Sequence, residues 1–186
     1  MGLLLSAFFL VIANRCQDYR AGESAREMVE KLQREMEVIG DNCAQDAMLS
    51  GYMGREMPSK ELDGKHYIGI LQIPVLELTL PVLAECNAWN LDIAPCLYEG
   101  TVYEKNMVIA GHNYRTHFGN LKYLSEGMEV DFLDVEGKKY FYSVKEVEVL
   151  EERESKEMCA GGWELTLFTC TYSGDARYTV RCERIR

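Results

Sequence analysis

The chain has 186 residues, of which 47% are apolar and 27% are charged, and its formal net charge is −10. This length fits one main domain with an N-terminal extension, and it is sufficient to bury a core without disulfide bonds. The acidic balance excludes a broad nucleic-acid-binding surface, which needs clustered Lys and Arg, so no nucleic-acid partner is expected.

The chain begins with an apolar stretch, Gly2–Ala13, that is interrupted only by Ser6. This stretch is shorter than the roughly 20 residues of a membrane-spanning helix, and it lacks the basic segment that precedes the core of a signal peptide. An ordinary buried helix is the alternative. We expect residues 1–20 to be a minimal or truncated membrane anchor, with the rest of the chain outside the cytoplasm.

The next segment, residues 21–60, has the pattern of a helical extension and a linker. Ser24 and Glu27 have the spacing of a capping box, which predicts that a helix begins there. Apolar residues then recur at helical spacing from Met28 until Gly40, where the pattern ends. Polar residues with Pro and Gly follow and predict a connection to the main domain.

Residues 61–186 have strand-like patterns and are predicted to form the main domain. The clearest hairpin turns at Glu136-Gly137, and the last one runs from Leu165 to Cys182 with a polar tip. Six to eight short strands with few helices predict an all-β fold, either a closed barrel or a sandwich.

Three residues that can take part in catalysis lie at the ends of predicted strands, which is where catalytic groups often lie. Cys170 ends one strand, His112 follows another, and Arg177 begins the return strand of the last hairpin. A cysteine attacks as a thiolate, a histidine exchanges protons, and an arginine stabilises a developing oxyanion. Each residue alone is also compatible with a purely structural role, but the three together form a complete set for acyl transfer.

The motifs around these residues resemble those of the sortase family. "TLFTC" (Thr166–Cys170) is followed one short hairpin later by an arginine and is preceded by "AGHN" (Ala110–Asn113). "IGILQIP" (Ile68–Pro74) is similar to the first-strand signature of that family. The resemblance covers Tyr67–Arg186, and the order, spacing and strand context of the motifs agree.

The resemblance implies a closed eight-stranded sortase-type β-barrel with short helices and no cofactor. It also implies a cysteine transpeptidase on the outer face of a Gram-positive-type membrane, anchored through its N-terminus. Such enzymes cleave a sorting motif similar to Leu-Pro-x-Thr-Gly between Thr and Gly and hold the product as a thioacyl enzyme. They then transfer it to an amine of the cell wall, so the expected partners are a sorting-signal peptide and a cell-wall amine acceptor.

The resemblance also assigns roles to residues of this chain. Cys170 matches the nucleophile, His112 the general acid and base, and Arg177 the arginine of the site. Thr169 and Asn113 match substrate-binding positions. The subclass stays open, because the helical N-terminal region and the "GHN" motif favour class B, whereas the connection before the last hairpin is short for that class.

Two residues compete for these roles in the sequence. His117 lies five residues after His112, and Arg181 lies four residues after Arg177, so both arginines can share one face of a strand. His112 is preferred because it directly ends a strand, and Arg177 is preferred because it lies nearer the hairpin tip.

Other functions remain open from the sequence alone. A thiol peptidase would release the acyl intermediate to water, and a catalytically inactive barrel would serve as a binding module. A zinc site that uses both histidines and Cys170 is a further alternative, although the spacing of the histidines is not typical of zinc ligands.

Overall fold

The computed structural model describes residues 2–40, 56–151 and 155–185, which form a closed eight-stranded β-barrel with short helices and a long N-terminal helix. This confirms the predicted all-β barrel. The helices are α1 (Gly2–Gly40), α2 (Ala88–Leu91) and α3 (Ser155–Met158), with 3₁₀ turns at Pro74–Leu76 and Leu121–Tyr123. The strands are β1 (Lys60–Leu62), β2 (Lys65–Ile73), β3 (Leu78–Leu83), β4 (Cys96–Glu99), β5 (Met107–Ala110), β6 (Glu129–Asp134), β7 (Lys139–Glu151), β8 (Leu165–Cys170) and β9 (Ala176–Arg184).

The barrel closes where β2 pairs with β6. The strand order is β2-β3-β4-β5-β8-β9-β7-β6, and β1 pairs with β2 outside this ring. Closure depends on Gly69, because a Cβ atom there would collide with the carbonyl oxygen of Leu133. The hairpin predicted at Glu136-Gly137 joins β6 to β7, and Gly137 has a positive φ of 85°.

Side chains alternate between the inside and the outside of the barrel. On β8, Leu165 and Leu167 belong to the main interior cluster, whereas Phe168 belongs to a separate cluster on the other face. We call the buried part of this second group the outer-face cluster. It consists of Val108, Ala110, Leu150, Met158 and Phe168. Cys170 has the same parity as Phe168 and therefore lies on the outer face.

Helix α1 extends well beyond the predicted helix, and the prediction that a helix begins at Ser24 is wrong. Residues 2–23 contain no proline and continue the same helix, so Ser24 lies within it. The helical pattern from Met28 onward is confirmed. The predicted end of the helix at Gly40 stays a prediction, because the residues that follow lie outside the described ranges. On this part of α1, Val29 and Leu32 are buried against the barrel.

The N-terminal part of α1 exposes apolar side chains. Phe8, Phe9 and Leu10 are all about two-thirds exposed. Within the part of the chain that the structure describes, no helix has an apolar stretch long enough to cross a membrane.

The predicted division of the chain into three parts, with boundaries at residues 20 and 60, stays a prediction.

Candidate active site

Three neighbouring strands bring the predicted catalytic residues to the same end of the barrel. Strands β5 and β8 are parallel with Ala110 opposite Phe168, and the amide of Gly111 donates to the carbonyl of Phe168 at 3.0 Å. His112 therefore leaves β5 at the level of Cys170. On the other side of β8, Cys170 pairs directly with Arg177 of β9. Cys170 is thus the middle residue of the three.

The register between β8 and β9 is set by the hairpin tip. The Thr171 amide donates to the Ala176 carbonyl at 2.9 Å, and the Gly174 amide donates to the Thr171 carbonyl at 3.0 Å. Gly174 has a φ of 82°, a conformation that favours glycine. This tight tip places Arg177 beside Cys170.

The Arg177 side chain is half-buried, and its guanidinium has few polar contacts. It donates one long hydrogen bond of 3.5 Å to the carbonyl of Gly174. It forms no salt bridge with any residue in the described ranges. The guanidinium therefore remains available to an anionic group at the end of the barrel.

Cys170 differs from most of the other cysteines in its exposure. Among the described residues, only Cys16 and Cys170 have exposed thiols. Burial raises the pKa of the Cys182 thiol to about 12 and that of the Cys159 thiol to about 11. Cys43 lies outside the described residues. Cys170 is therefore the exposed thiol that has an imidazole and a guanidinium on the two neighbouring strands.

His112 contacts a carboxylate that the sequence analysis did not identify. Its Nε2 lies 3.1 Å from Oδ1 of Asp92, and both side chains are partly exposed. The Tyr114 hydroxyl also reaches this oxygen at 3.5 Å, and its ring lies 4.9 Å from the His112 ring. A carboxylate in this position orients the imidazole. No sequence signal pointed to Asp92, which directly follows helix α2.

The competing histidine has a different environment. His117 is fully buried, and neither ring nitrogen has a hydrogen-bond partner among the described residues. Burial lowers its pKa from 6.5 to about 4, and the charge of His112 acts in the same direction. His117 is therefore neutral at physiological pH and has no access to a substrate at the surface.

The buried His117 predicts a loss of stability in acid. Between pH 6.5 and about 4 the unfolded chain binds a proton at this residue that the folded chain does not bind. The contribution of the neutral His117 ring to the free energy of unfolding is at most about 3 kcal/mol, and it is fully lost below that pH window. We expect His117→Gln to make the stability less pH-dependent, as measured by urea unfolding at about pH 7 and about pH 4.5. An equally steep pH dependence in wild type and variant would contradict this.

The competing arginine is also buried. Arg181 is 3% exposed, and its guanidinium donates four hydrogen bonds, to β7, β8 and α3. Arg177 is only half-buried and pairs directly with Cys170. Both arginines lie on β9, but Arg177 is accessible and donates one long hydrogen bond, whereas Arg181 is buried and donates four.

The two predicted substrate-binding residues lie in different places. Thr169 is 2% exposed and alternates to the interior side of β8, where its hydroxyl has no partner among the described residues. Asn113 lines an open cleft of about 760 Å³ between α1 and the segment after β5, and Tyr172 of the hairpin tip also lines it. Contact of either residue with a substrate stays a prediction.

The zinc alternative has no support in the arrangement of ligand-type side chains. Among residues 2–40, 56–151 and 155–185, no three His, Cys, Asp or Glu side chains come close enough together to hold a metal ion.

Comparisons with known proteins agree with the motifs and the fold. The family model described as the sortase domain matches residues 71–185. No functionally curated protein gives a significant sequence match.

Solved structures similar to this chain carry the names of several sortase classes. A sortase D transpeptidase of Clostridium perfringens is 17% identical with a TM-score of 0.64, over 88% of this chain and 99% of that one. Sortase A of Corynebacterium diphtheriae is 18% identical with a TM-score of 0.59, over 97% and 96%. A sortase C of Streptococcus pneumoniae is 18% identical with a TM-score of 0.58, over 94% and 96%. At these low sequence identities, the similarity shows only that the fold is shared.

Proposed function

Because the chain belongs to the sortase family, we propose that it is a cysteine transpeptidase that cleaves a Leu-Pro-x-Thr-Gly-like motif between Thr and Gly. The product is transferred to an amine of the cell wall. The observation that carries this proposal is the alignment of His112, just after β5, with Cys170 on β8 and Arg177 on β9 at one end of the barrel.

The chemistry follows from this arrangement. The Cys170 thiol gives its proton to His112 as its sulfur attacks the Thr carbonyl carbon. The guanidinium of Arg177 stabilises the negative charge that develops on the carbonyl oxygen. The bond between Thr and Gly then breaks, and His112 gives a proton to the leaving amine. The acceptor amine then attacks the thioester carbon and loses a proton to His112. The carbon–sulfur bond breaks, and His112 returns this proton to the sulfur, which restores the Cys170 thiol.

Peptide cleavage with and without an amine tests the proposed reaction. We would incubate the protein with a library of sorting-motif peptides, with and without added glycine peptides, and identify the products by mass spectrometry. A transpeptidase forms the amide with the added amine, whereas a thiol peptidase yields the free acid in both conditions. Absence of cleavage across the library would reject both.

The exposed thiol also separates an enzyme from a binding module. If Cys170 is the nucleophile, its alkylation abolishes peptide cleavage, and prior incubation with a reactive substrate peptide slows the alkylation. A binding module would keep its peptide affinity after alkylation and would cleave nothing.

We further propose that the N-terminal part of α1 attaches the protein to a membrane, with the barrel on the outer side. The exposed Phe8, Phe9 and Leu10 support this, because an apolar surface on one end of a helix is unfavourable in water. Flotation of the protein with lipid vesicles, compared with a variant in which these three residues are Ser, tests the attachment.

Arg177→Ala and Arg177→Lys are both expected to lower kcat/KM by about 10²–10³-fold, which is typical of losing one oxyanion donor. Lysine keeps the charge but lacks the planar fork of donors, so it substitutes poorly. The measurement is kcat/KM on one sorting peptide. Near wild-type activity of Arg177→Lys would show that only the charge matters, and near wild-type activity of Arg177→Ala would remove the residue from the mechanism.

Asp92→Asn is expected to lower kcat by about tenfold or more, because the carboxylate orients the His112 ring. The effect is smaller than that of a buried triad carboxylate because Asp92 is half exposed. The measurements are kcat and KM on one sorting peptide, and an unchanged kcat would show that the contact has no role in the reaction.

A further inference from the structure

The loop that follows β5 carries His112 and is closed by its own backbone hydrogen bonds. We call residues 112–119 the histidine loop. The amide of Phe118 donates to the carbonyl of His112 at 3.0 Å, and Phe118 is fully buried in the main interior cluster. The amide of His117 donates to the carbonyl of Tyr114 at 3.0 Å. The loop is therefore one compact unit, and His112 is part of it.

Helix α1 is hydrogen-bonded to the histidine loop through Asp18 and Thr116. Oδ1 of Asp18 accepts from the amide of Thr116 at 3.0 Å and from its hydroxyl at 2.8 Å. The same hydroxyl lies 2.9 Å from the carbonyl oxygen of Asp18. All three contacts are partly buried, so a backbone amide would lose its partner in a place that water reaches poorly if Asp18 were removed.

Helix α1 comes close to the loop because Gly22 has no side chain. A Cβ atom at this position would lie 2.8 Å from Cγ2 of Thr116, which is closer than van der Waals contact allows. The β-branched side chain of Thr116 cannot turn away without losing its hydrogen bonds to Asp18. Alanine would stabilise the helix by about 1 kcal/mol relative to glycine, but it would displace the loop.

Tyr114 connects the contact with α1 to the candidate catalytic histidine. Its ring lies 4.9 Å from the ring of His112, and its hydroxyl lies 3.5 Å from Oδ1 of Asp92. The same carboxylate oxygen lies 3.1 Å from Nε2 of His112. Tyr114 is only two residues before Thr116, so a shift of Thr116 moves the Tyr114 ring relative to the imidazole.

We propose that Asp18 is a positioning residue for His112, which it acts on through Thr116 and the histidine loop. This rests on the proposed function, since the position of the imidazole affects a rate only if His112 exchanges protons with substrates. In the described part of the chain, Asp18 forms no hydrogen bond with any of the three candidate catalytic residues. Its loss misplaces the imidazole, which slows proton transfer and leaves peptide binding unchanged.

The first test compares Asp18→Ala with Asp18→Asn in the full chain, using kcat and KM on a cleavable sorting peptide. Both side-chain contacts of Asp18 use Oδ1, so asparagine keeps the accepting oxygen and alanine removes it. We expect kcat to fall about tenfold in Asp18→Ala with KM within about twofold of wild type. Asp18→Asn is expected to keep both constants within about twofold.

Glu35→Ala is the matched control for the attachment of α1. It removes the 2.8 Å ion pair between Glu35 and Lys60 of β1, at the other end of the packed part of the helix. This variant is expected to keep kcat within about twofold, because the histidine loop is untouched.

Gly22→Ala disturbs the loop without removing a hydrogen-bonding group. It is expected to lower kcat in the same way as Asp18→Ala, even though alanine favours the helix. A general loss of helix stability would not produce this result. The variant also provides the test if Asp18→Ala does not fold.

The NMR signal of the His112 ring provides a readout that does not require activity. The chain has three histidines, and His112→Ala identifies the signal of this one. The ring current of Tyr114 depends on the distance between the two rings. We therefore expect the Cε1 proton signal of His112 to move by more than its line width in Asp18→Ala, and to stay in place in Asp18→Asn and Glu35→Ala.

The proposal is wrong if Asp18→Ala keeps the kcat of wild type, or if its only effect is a higher KM. It is also wrong if Asp18→Asn or Glu35→Ala loses as much kcat as Asp18→Ala, or if the His112 signal does not move in Asp18→Ala. If the wild-type protein cleaves no peptide, the proposed function fails. The His112 signal then decides separately whether Asp18 sets the position of the ring.

Discussion

Cys170→Ala is expected to abolish cleavage of a sorting peptide, with a loss of about 10⁴-fold or more. The alanine has no nucleophile, so neither His112 nor Arg177 can form a thioacyl intermediate. The fold is expected to remain intact because Cys170 is exposed, whereas Phe168 and Thr169 supply the buried contacts at this end of β8. The measurements are the cleavage rate and the thermal unfolding temperature.

Two other cysteines provide controls for this result. Cys16→Ala removes the other exposed thiol of the described residues and is expected to leave both activity and stability unchanged. Cys182→Ala removes a fully buried side chain and is expected to keep activity at a lower unfolding temperature. Cleavage that survives in Cys170→Ala but is lost in either control would place the nucleophile elsewhere.

His112→Ala is expected to lose activity nearly as completely as Cys170→Ala, because the thiol and the imidazole act as a unit. A double variant is therefore expected to be no less active than either single variant. His117→Gln is the matched control and is expected to keep most activity, since that ring is buried. The measurement is kcat/KM on one peptide for the two single variants, their double variant and His117→Gln. A greater loss in His117→Gln than in His112→Ala would reverse the assignment of the two histidines.

Local patterns predicted an all-β fold of short strands, and the resemblance to the sortase family added the closed barrel and the roles of the three candidate residues. Strand periodicity and the glycine at the tip of the last hairpin indicate how Arg177 returns beside Cys170. The start of α1 was not predictable from Ser24, because a capping pattern within a chain of good helix formers does not interrupt a helix.

The partners of the site residues depend on contacts between distant segments. Asp92, directly after α2, reaches His112, and Arg181 reaches α3 across the face of the barrel. Neither pair has a fixed spacing in sequence. Local patterns indicate where a reactive side chain lies on a strand, but they do not indicate what packs over it.

The parallel pairing of β5 with β8 has a consequence for the order of events during folding. The whole β6–β7 hairpin lies between these strands, so their pairing is a long-range contact of the kind that forms slowly. During synthesis His112 is made well before Cys170, and the thiol is made before β9 supplies Arg177. The thiol therefore meets its base and its cation only after β8 has paired with both neighbouring strands, so a partly folded chain holds this cysteine without the other two residues of the set.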